Sequence, residues 1–216
     1  FLALAGGNDE QARDALAEYE GIIAHEAFRR MPDQPQLFAD AAAAALAAGA
    51  SDRAIELADL SLKADSGNPA ASLHKARAQV QRGDKPGAEA TLRDSDLSRI
   101  SGHQQARYHV GAARVYLTLG RERMAVDELG NARDADAHWP VAALETARAR
   151  LRVKNLIGAL ELIESVAYMD GLQEANRSPL HAVWYPGTDW GRMRRDLERG
   201  LVGDVRFAAR GAGVLG

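Results

Sequence analysis

The stretch PAASLHKARAQVQRGDKPGAEATLR, residues 69–93, decides how this chain is read. A proline opens it, in the place that suits the first turn of a helix. Gly83 then marks a turn, and Ala88 follows five residues later. The same offset joins Gly49 to Ala54 and Gly120 to Ala125, and Lys154 with Ala159 continues the series without the glycine. Counting back from these anchors places unit starts at Pro35, Pro69, Ala106 and Pro140, in steps of 34, 37 and 34 residues. Each unit is a helix, a turn and a second helix.

Small residues recur in register with that period. They are Ala42, Ala54 and Ser61 in the first unit, and Ala76, Ala88 and Ser95 in the second. The third has Ala113, Ala125 and Ala132, with Tyr116, and the fourth has Ala147, Ala159 and Val166. Small side chains are needed there because the two helices of a hairpin, and then successive hairpins, approach closely. With its 34-residue period, this set resembles the tetratricopeptide repeat family. The resemblance covers Pro35 to about Met169. It implies an all-α fold, a right-handed superhelical solenoid of antiparallel helix hairpins. Two features depart from the family pattern. The proline near a unit's end is moved to the next unit's first position, at Pro35, Pro69 and Pro140. The tryptophan of the fourth position is replaced by Phe38, Ser72, His109 and Ala143.

The array is expected to comprise units 35–68, 69–105, 106–139 and 140–173. Residues 1–34 read as a partial N-terminal repeat, because Gly7 and Ala12 repeat the anchor offset. Phe1 to Ala5 would be the tail of a first helix and Glu10 to Arg30 one long second helix. On this reading the chain begins inside a repeat, as a fragment of something longer or with its first helix unseen. The three extra residues fall near Ser98 to Gln105, as a longer loop or an extended second helix. Residues 174–216 read as a cap and tail. Ser178-Pro179 and Tyr185-Pro186-Gly187 are turn punctuation. Thr188 is placed to cap a helix reaching about Arg199, with Trp190, Met193 and Leu197 on one face. A divergent capping helix is expected because the last unit of a solenoid exposes an apolar side. The glycine-rich end reads as loose.

The resemblance also implies a concave face lined by positions 2, 5, 9, 12 and 13 of each unit. In the first unit these are Gln36, Ala39, Ala43, Leu46 and Ala47; in the second, Ala70, Leu73, Arg77, Val80 and Gln81. The third supplies Arg107, Val110, Arg114, Leu117 and Thr118, and the fourth Val141, Leu144, Arg148, Leu151 and Arg152. Position 9 is thus Arg77, Arg114 and Arg148 in successive units, flanked by Arg107 and Arg152, and none of the twenty positions is acidic. Like positions on packed neighbouring helices lie about 10 Å apart or more. Two arginines at ~10 Å repel by about 0.4 kcal/mol in water, less with salt. An acidic segment would relieve that repulsion and gain hydrogen bonds from the guanidinium forks. The expected partner is therefore a protein or peptide carrying Asp, Glu or a terminal carboxylate. A competing reading has the arginines solvating a face, or pairing with acids such as Glu145 or Asp40. Trp184, Tyr185 and Trp190, beside Arg192, Arg194 and Arg195, offer a second contact spot or seal the last hairpin; the tail could instead fold back into the groove. Lys and Asn of the family's carboxylate-clamping subset are absent from the groove positions.

Composition narrows the classes. Among 216 residues, 26% are charged and the net charge is −3, which gives no overall pull toward nucleic acid or anionic membrane. No apolar run approaches the ~20 residues of a spanning helix. Cysteine is absent, which excludes disulfides and thiolate metal sites and is compatible with the cytoplasm, the favoured compartment, or a bacterial periplasm. No HExxH, Gly-x-Ser-x-Gly or phosphate-cradling loop occurs. Asp134, Asp136 and His138 read as an ordinary end of a second helix rather than a metal site. Gly211, Gly213 and Gly216 spell GxGxxG but read as a flexible tail. A non-catalytic scaffold without cofactors is expected. The alternative is an accessory region of a larger enzyme or secretion machine, and self-association through the apolar ends of the array is a further expectation.

Overall fold

Gly83 has φ +86°, the left-handed conformation that favours glycine after the end of a helix. There the N–H of Asp84 reaches back to the carbonyl of Gln79 at 2.8 Å. The same bond closes three other turns, from Ala50 to Ala45, from Arg121 to Tyr116 and from Asn155 to Arg150, each at 2.8 Å. The four donors, residues 50, 84, 121 and 155, are 34, 37 and 34 residues apart. The period seen in the anchors is therefore written into the backbone.

The structure, a computed structural model, describes residues 9–153 together with Asn155, Gly158, Ala159 and Leu162. Among the described residues there are eight α-helices and no strand. They are α1 (Asp9–Ala24), α2 (Gln34–Ala47), α3 (Ser51–Ala64), α4 (Pro69–Arg82), α5 (Lys85–Arg93), α6 (His103–Thr118), α7 (Glu122–Ala135) and α8 (Pro140–Arg152). The first helices α2, α4, α6 and α8 pack on one another in order, while α3, α5 and α7 form the second layer. Asn68 shows why a helix starts where it does: its Oδ1 accepts from the N–H groups of Ala70 and Ala71, both at 3.1 Å, with Pro69 at the first helical position.

The repeating alanines lie where the layers touch. Ala42, Ala54, Ala76, Ala88, Ala125, Ala132, Ala147 and Ala159 are all fully buried, as is Ser61. Ser61 Oγ donates to the Pro35 carbonyl at 2.6 Å, so this hydroxyl fastens α3 to the start of α2. Larger side chains fill the remaining space. Leu57 belongs to a cluster between α2 and α3, and Leu129 to a second cluster around α6 and α7 that includes Tyr108, Val115 and Tyr116.

Two segments refine the reading of the sequence. The second helix expected from Glu10 to Arg30 ends at Ala24, and a 3-10 turn follows from Glu26 to Arg30. His25 Nδ1 accepts from the Ala27 N–H at 3.2 Å, and Phe28 turns inward to meet Phe38 edge-on, ring centroids 5.1 Å apart. The turn thus places Phe28, which is buried, against the half-buried Phe38. The extra residues before the third unit form a loop, since α5 stops at Arg93 and α6 starts at His103. Leu97 and Ile100 from this loop pack on the core, and Arg99 Nη1 reaches Asp65 Oδ1 at 2.7 Å. Val166, the capping helix and the glycine motif lie outside the described residues.

Candidate functional site: the face of the first helices

Leu73, Arg77 and Val80 share one face of α4, being four and three residues apart. Leu73 and Val80 are half-buried and Arg77 is exposed. On α6, Val110 is buried, Leu117 is half-buried, and Arg107 and Arg114 are exposed. Arg152 is exposed at the end of α8, the helix that also carries Leu144 and Arg148. The first unit contributes little charge: Ala39 is fully buried, and Gln36 Nε2 donates to Asp40 Oδ1 at 2.9 Å. Gln81 is also engaged, its Oε1 accepting from Ser51 Oγ at 2.8 Å.

α4 and α6 come together at Gly111. A Cβ added there would lie 2.7 Å from Leu73 Cδ1, so the missing side chain is what lets Leu73 settle against α6. That approach brings Arg77 within electrostatic reach of Arg114. The guanidinium pKa of Arg77 is pushed down by burial and then by the charge of Arg114. Arg77 nevertheless meets solvent. No ion pair is formed by Arg77 among the described residues.

Arg114 differs. Its Nη2 lies 2.7 Å from Glu145 Oε1 on α8. The Arg114 side chain is 58% exposed but that of Glu145 only 5%, so the carboxylate is the buried partner. Of the two acids the sequence suggested as internal partners, Glu145 pairs with Arg114, whereas Asp40 accepts from Gln36. Burial pushes the Asp40 carboxyl up, against the opposing effect of that hydrogen bond.

His74, one turn before Arg77, was absent from the expected lining. Its Nδ1 is buried and finds no hydrogen-bond partner among the described residues. Burial, helped by the charge of Arg77, lowers its pKa to about 4, so the ring is neutral. Asp40, His74, Gly111 and Glu145 all occupy the sixth place of their units, one beyond the fifth place taken to line the groove. The period therefore held a signal for this second row.

Elsewhere, Asp136 Oδ2 lies 2.8 Å from His103 Nδ1, and its Oδ1 accepts from the His138 N–H at 3.2 Å. The carboxylate thus closes the hairpin of α6 and α7. Among the described residues no group of three His, Cys, Asp or Glu side chains could hold a metal ion, and no helix is long and apolar enough to cross a membrane. Trp184, Tyr185 and Trp190 lie outside the described residues.

Comparison with known proteins meets this geometry at the level of the fold. A family model described as tetratricopeptide repeat matches residues 45–99, the end of α2 through the loop after α5. The chain has the fold of a tetratricopeptide repeat solenoid. Among curated proteins none matches it. Solved structures of the same fold include the Cut9–Hcn1 hetero-tetramer of the APC/C, with TM-score 0.54 and 12% identity over 95% of this chain. The chain spans 37% of the length of that one. YrrB, described as a TPR protein with an unusual peptide-binding site, has TM-score 0.51 and 13% identity, covering 88% of this chain and 97% of its own. PilF of Pseudomonas aeruginosa has TM-score 0.52 and 14% identity, covering 88% and 98%. At these identities the likeness is one of fold alone.

Proposed function

We propose that this chain is a non-catalytic scaffold that binds an acidic or carboxylate-bearing segment of a protein partner on the face of its first helices. The observation that carries the reading is Arg77. It is a wetted cation on a wall of protein, beside a second arginine, with no acid paired to it among the described residues. A carboxylate there would remove the like-charge repulsion and accept two parallel N–H bonds from the guanidinium. Leu73, Val80, Val110 and Leu117 provide apolar contact on either side. Arg107, Arg148, Arg152, Leu144 and Gln81 belong to the same proposed lining. The peptide-binding site in the description of YrrB is a case of such a fold holding a peptide.

The test is calorimetric titration of capped peptides of equal length, one set rich in Asp and Glu and one neutral, into the wild-type protein and Arg77→Glu. Acidic peptides should bind more tightly, and the reversal should abolish that preference. Equal binding of both sets, or an unaltered preference in Arg77→Glu, overturns the reading.

A further inference from the structure

We infer that the acidic segment received by this face is the α1 helix of a second copy of the chain, so that copies join head to tail. The inference rests on the acidic-segment reading above and names its partner.

α4 and α6 are adjacent first helices, and neither contains an Asp or a Glu. Between them they carry Lys75, Arg77, Arg82, Arg107 and Arg114. Lys75 and Arg82 reach Asp59 and Asp52 of α3 at 2.7 and 3.1 Å, while Arg77, Arg107 and Arg114 are exposed. α1 has the opposite character. Over Asp9–Ala24 it has five acids, Asp9, Glu10, Asp14, Glu18 and Glu20, against one base, Arg13. No basic residue in its last turn offsets the negative end of the helix dipole. A chain whose net charge is only −3 thus sorts its charges by element.

α1 is also two-faced. Ala12, Leu16, Tyr19 and Ile23 recur at steps of three and four; Ala12 is buried, and the other three pack on the cluster between α2 and α3. Glu20 is held at the edge of that face by Arg53, at 2.8 Å. Asp14, Glu18 and Ile22 stand four apart on the opposite side, all of them exposed, Ile22 by 41%. Neither Asp14 nor Glu18 forms an ion pair among the described residues. On α3, by contrast, Glu56 and Asp59 are already paired, with Arg53 and Lys75.

Packing against α2 turns the Asp14–Glu18–Ile22 stripe away from its own array, so it does not reach α4 and α6 of the same chain. A second copy can bring it there. Its carboxylates then meet guanidinium forks, and Ile22, one turn on, meets the half-buried Leu73, Val80 and Leu117. The contact is heterologous: each copy offers α1 to one neighbour and the arginine face to the other, so copies add in a row rather than closing as a two-fold pair. Charge complementarity of this kind orients the encounter and weakens with salt.

The experiment is sedimentation velocity of the whole chain over a concentration series reaching about 1 mM, at about 50 mM and about 500 mM salt. Wild type should associate as concentration rises, and less at the higher salt. Asp14→Lys/Glu18→Lys and Arg77→Glu should each weaken association by about tenfold or more, since each sets like charges against one another. Mixed in equal amounts, the two variants should form a one-to-one dimer and stop there, because each keeps the face that the other lacks. The capped acidic peptides should disperse wild-type oligomers. Circular dichroism confirms that each variant is folded; if the lysine variant is not, Asp14→Asn/Glu18→Gln takes its place. Wild type that stays monomeric throughout, variants that associate as wild type does, or a mixture without a dimer overturns the second copy as partner. If acidic peptides still bind in an Arg77-dependent way, the acidic groove then stands and its partner is a different protein. If acidic and neutral peptides bind alike, the groove reading has failed and the inference falls with it.

Discussion

Gly111 and Leu73 set the spacing of α4 and α6: a Cβ on the glycine would lie 2.7 Å from Leu73 Cδ1 and 3.1 Å from its Cδ2. The contact is with the far end of a half-buried side chain, so a methyl group can be accommodated by a small rotation of Leu73. Alanine also removes the helix penalty of glycine, about 1 kcal/mol. Gly111→Ala is therefore expected to lie within ~1 kcal/mol of wild type in denaturant unfolding. Gly111→Val adds two further carbons beside Leu73 and should destabilise by roughly 1–3 kcal/mol through overpacking. A valine variant as stable as wild type would show that the two helices are free to separate.

Leu57 and Leu129 are both fully buried but belong to different clusters, one between α2 and α3 and one around α6 and α7. Truncating either to alanine should cost about 2–5 kcal/mol. In a solenoid each unit touches only its neighbours, so the damage should be local. Hydrogen exchange should quicken in α2 and α3 for Leu57→Ala and in α6 and α7 for Leu129→Ala. Identical exchange patterns from the two variants would mean that the array unfolds as one cooperative body.

Ser61 offers a finer measurement, because its side chain is small and fully buried and donates a hydrogen bond to the Pro35 carbonyl at 2.6 Å. Alanine stands at the matching place of the third unit, Ala132, where it is also fully buried. Ser61→Ala leaves no large cavity and loses one hydrogen bond, so a loss of about 1 kcal/mol is expected. A loss above ~3 kcal/mol in thermal or denaturant unfolding would exceed what this bond can supply.

The fold was legible in the sequence because its determinants are local and periodic. Ala54, Ala88, Ala125 and Ala159 follow their turns at a fixed offset, and the backbone bonds ending at Ala45, Gln79, Tyr116 and Arg150 repeat the same steps. The break after Ala24 was not legible. Residues 10–30 carry no proline, and their one glycine, Gly21, lies inside α1; the break comes where His25 caps the 3-10 turn and Phe28 meets Phe38. The electrostatics were half legible. Sequence could place Arg77 and Arg114 in one column and name Glu145 as a candidate acid. It could not say that Arg114 receives it, since Arg114 and Glu145 are 31 residues apart and meet across two packed helices. His74 was missed for the same reason: its isolation is a property of the packing around α4, not of its sequence neighbours.

That isolation makes a prediction about acid. The His74 ring has a folded-state pKa lowered from 6.5 to about 4, by burial first and then by the charge of Arg77. Between those values the unfolded chain binds a proton that the folded chain refuses, so stability falls as pH drops from about 6.5 toward 4. The full gap corresponds to about 3 kcal/mol at ~1.36 kcal/mol per unit. The ring is only half-buried by surface area, so a loss on the order of 1–2 kcal/mol is the better expectation. Asp40 works in the opposite sense, since its raised carboxyl pKa adds stability on acidification, but that contribution is common to wild type and variant. Glutamine at position 74 is neutral throughout and removes the His74 contribution alone. Urea unfolding at pH 7 and pH 4.5 should therefore show wild type losing more stability than His74→Gln on acidification, by roughly 1–2 kcal/mol. Parallel losses in the two proteins would mean that the ring charges in the folded state at little cost, through a partner that takes up its Nδ1 when the proton arrives.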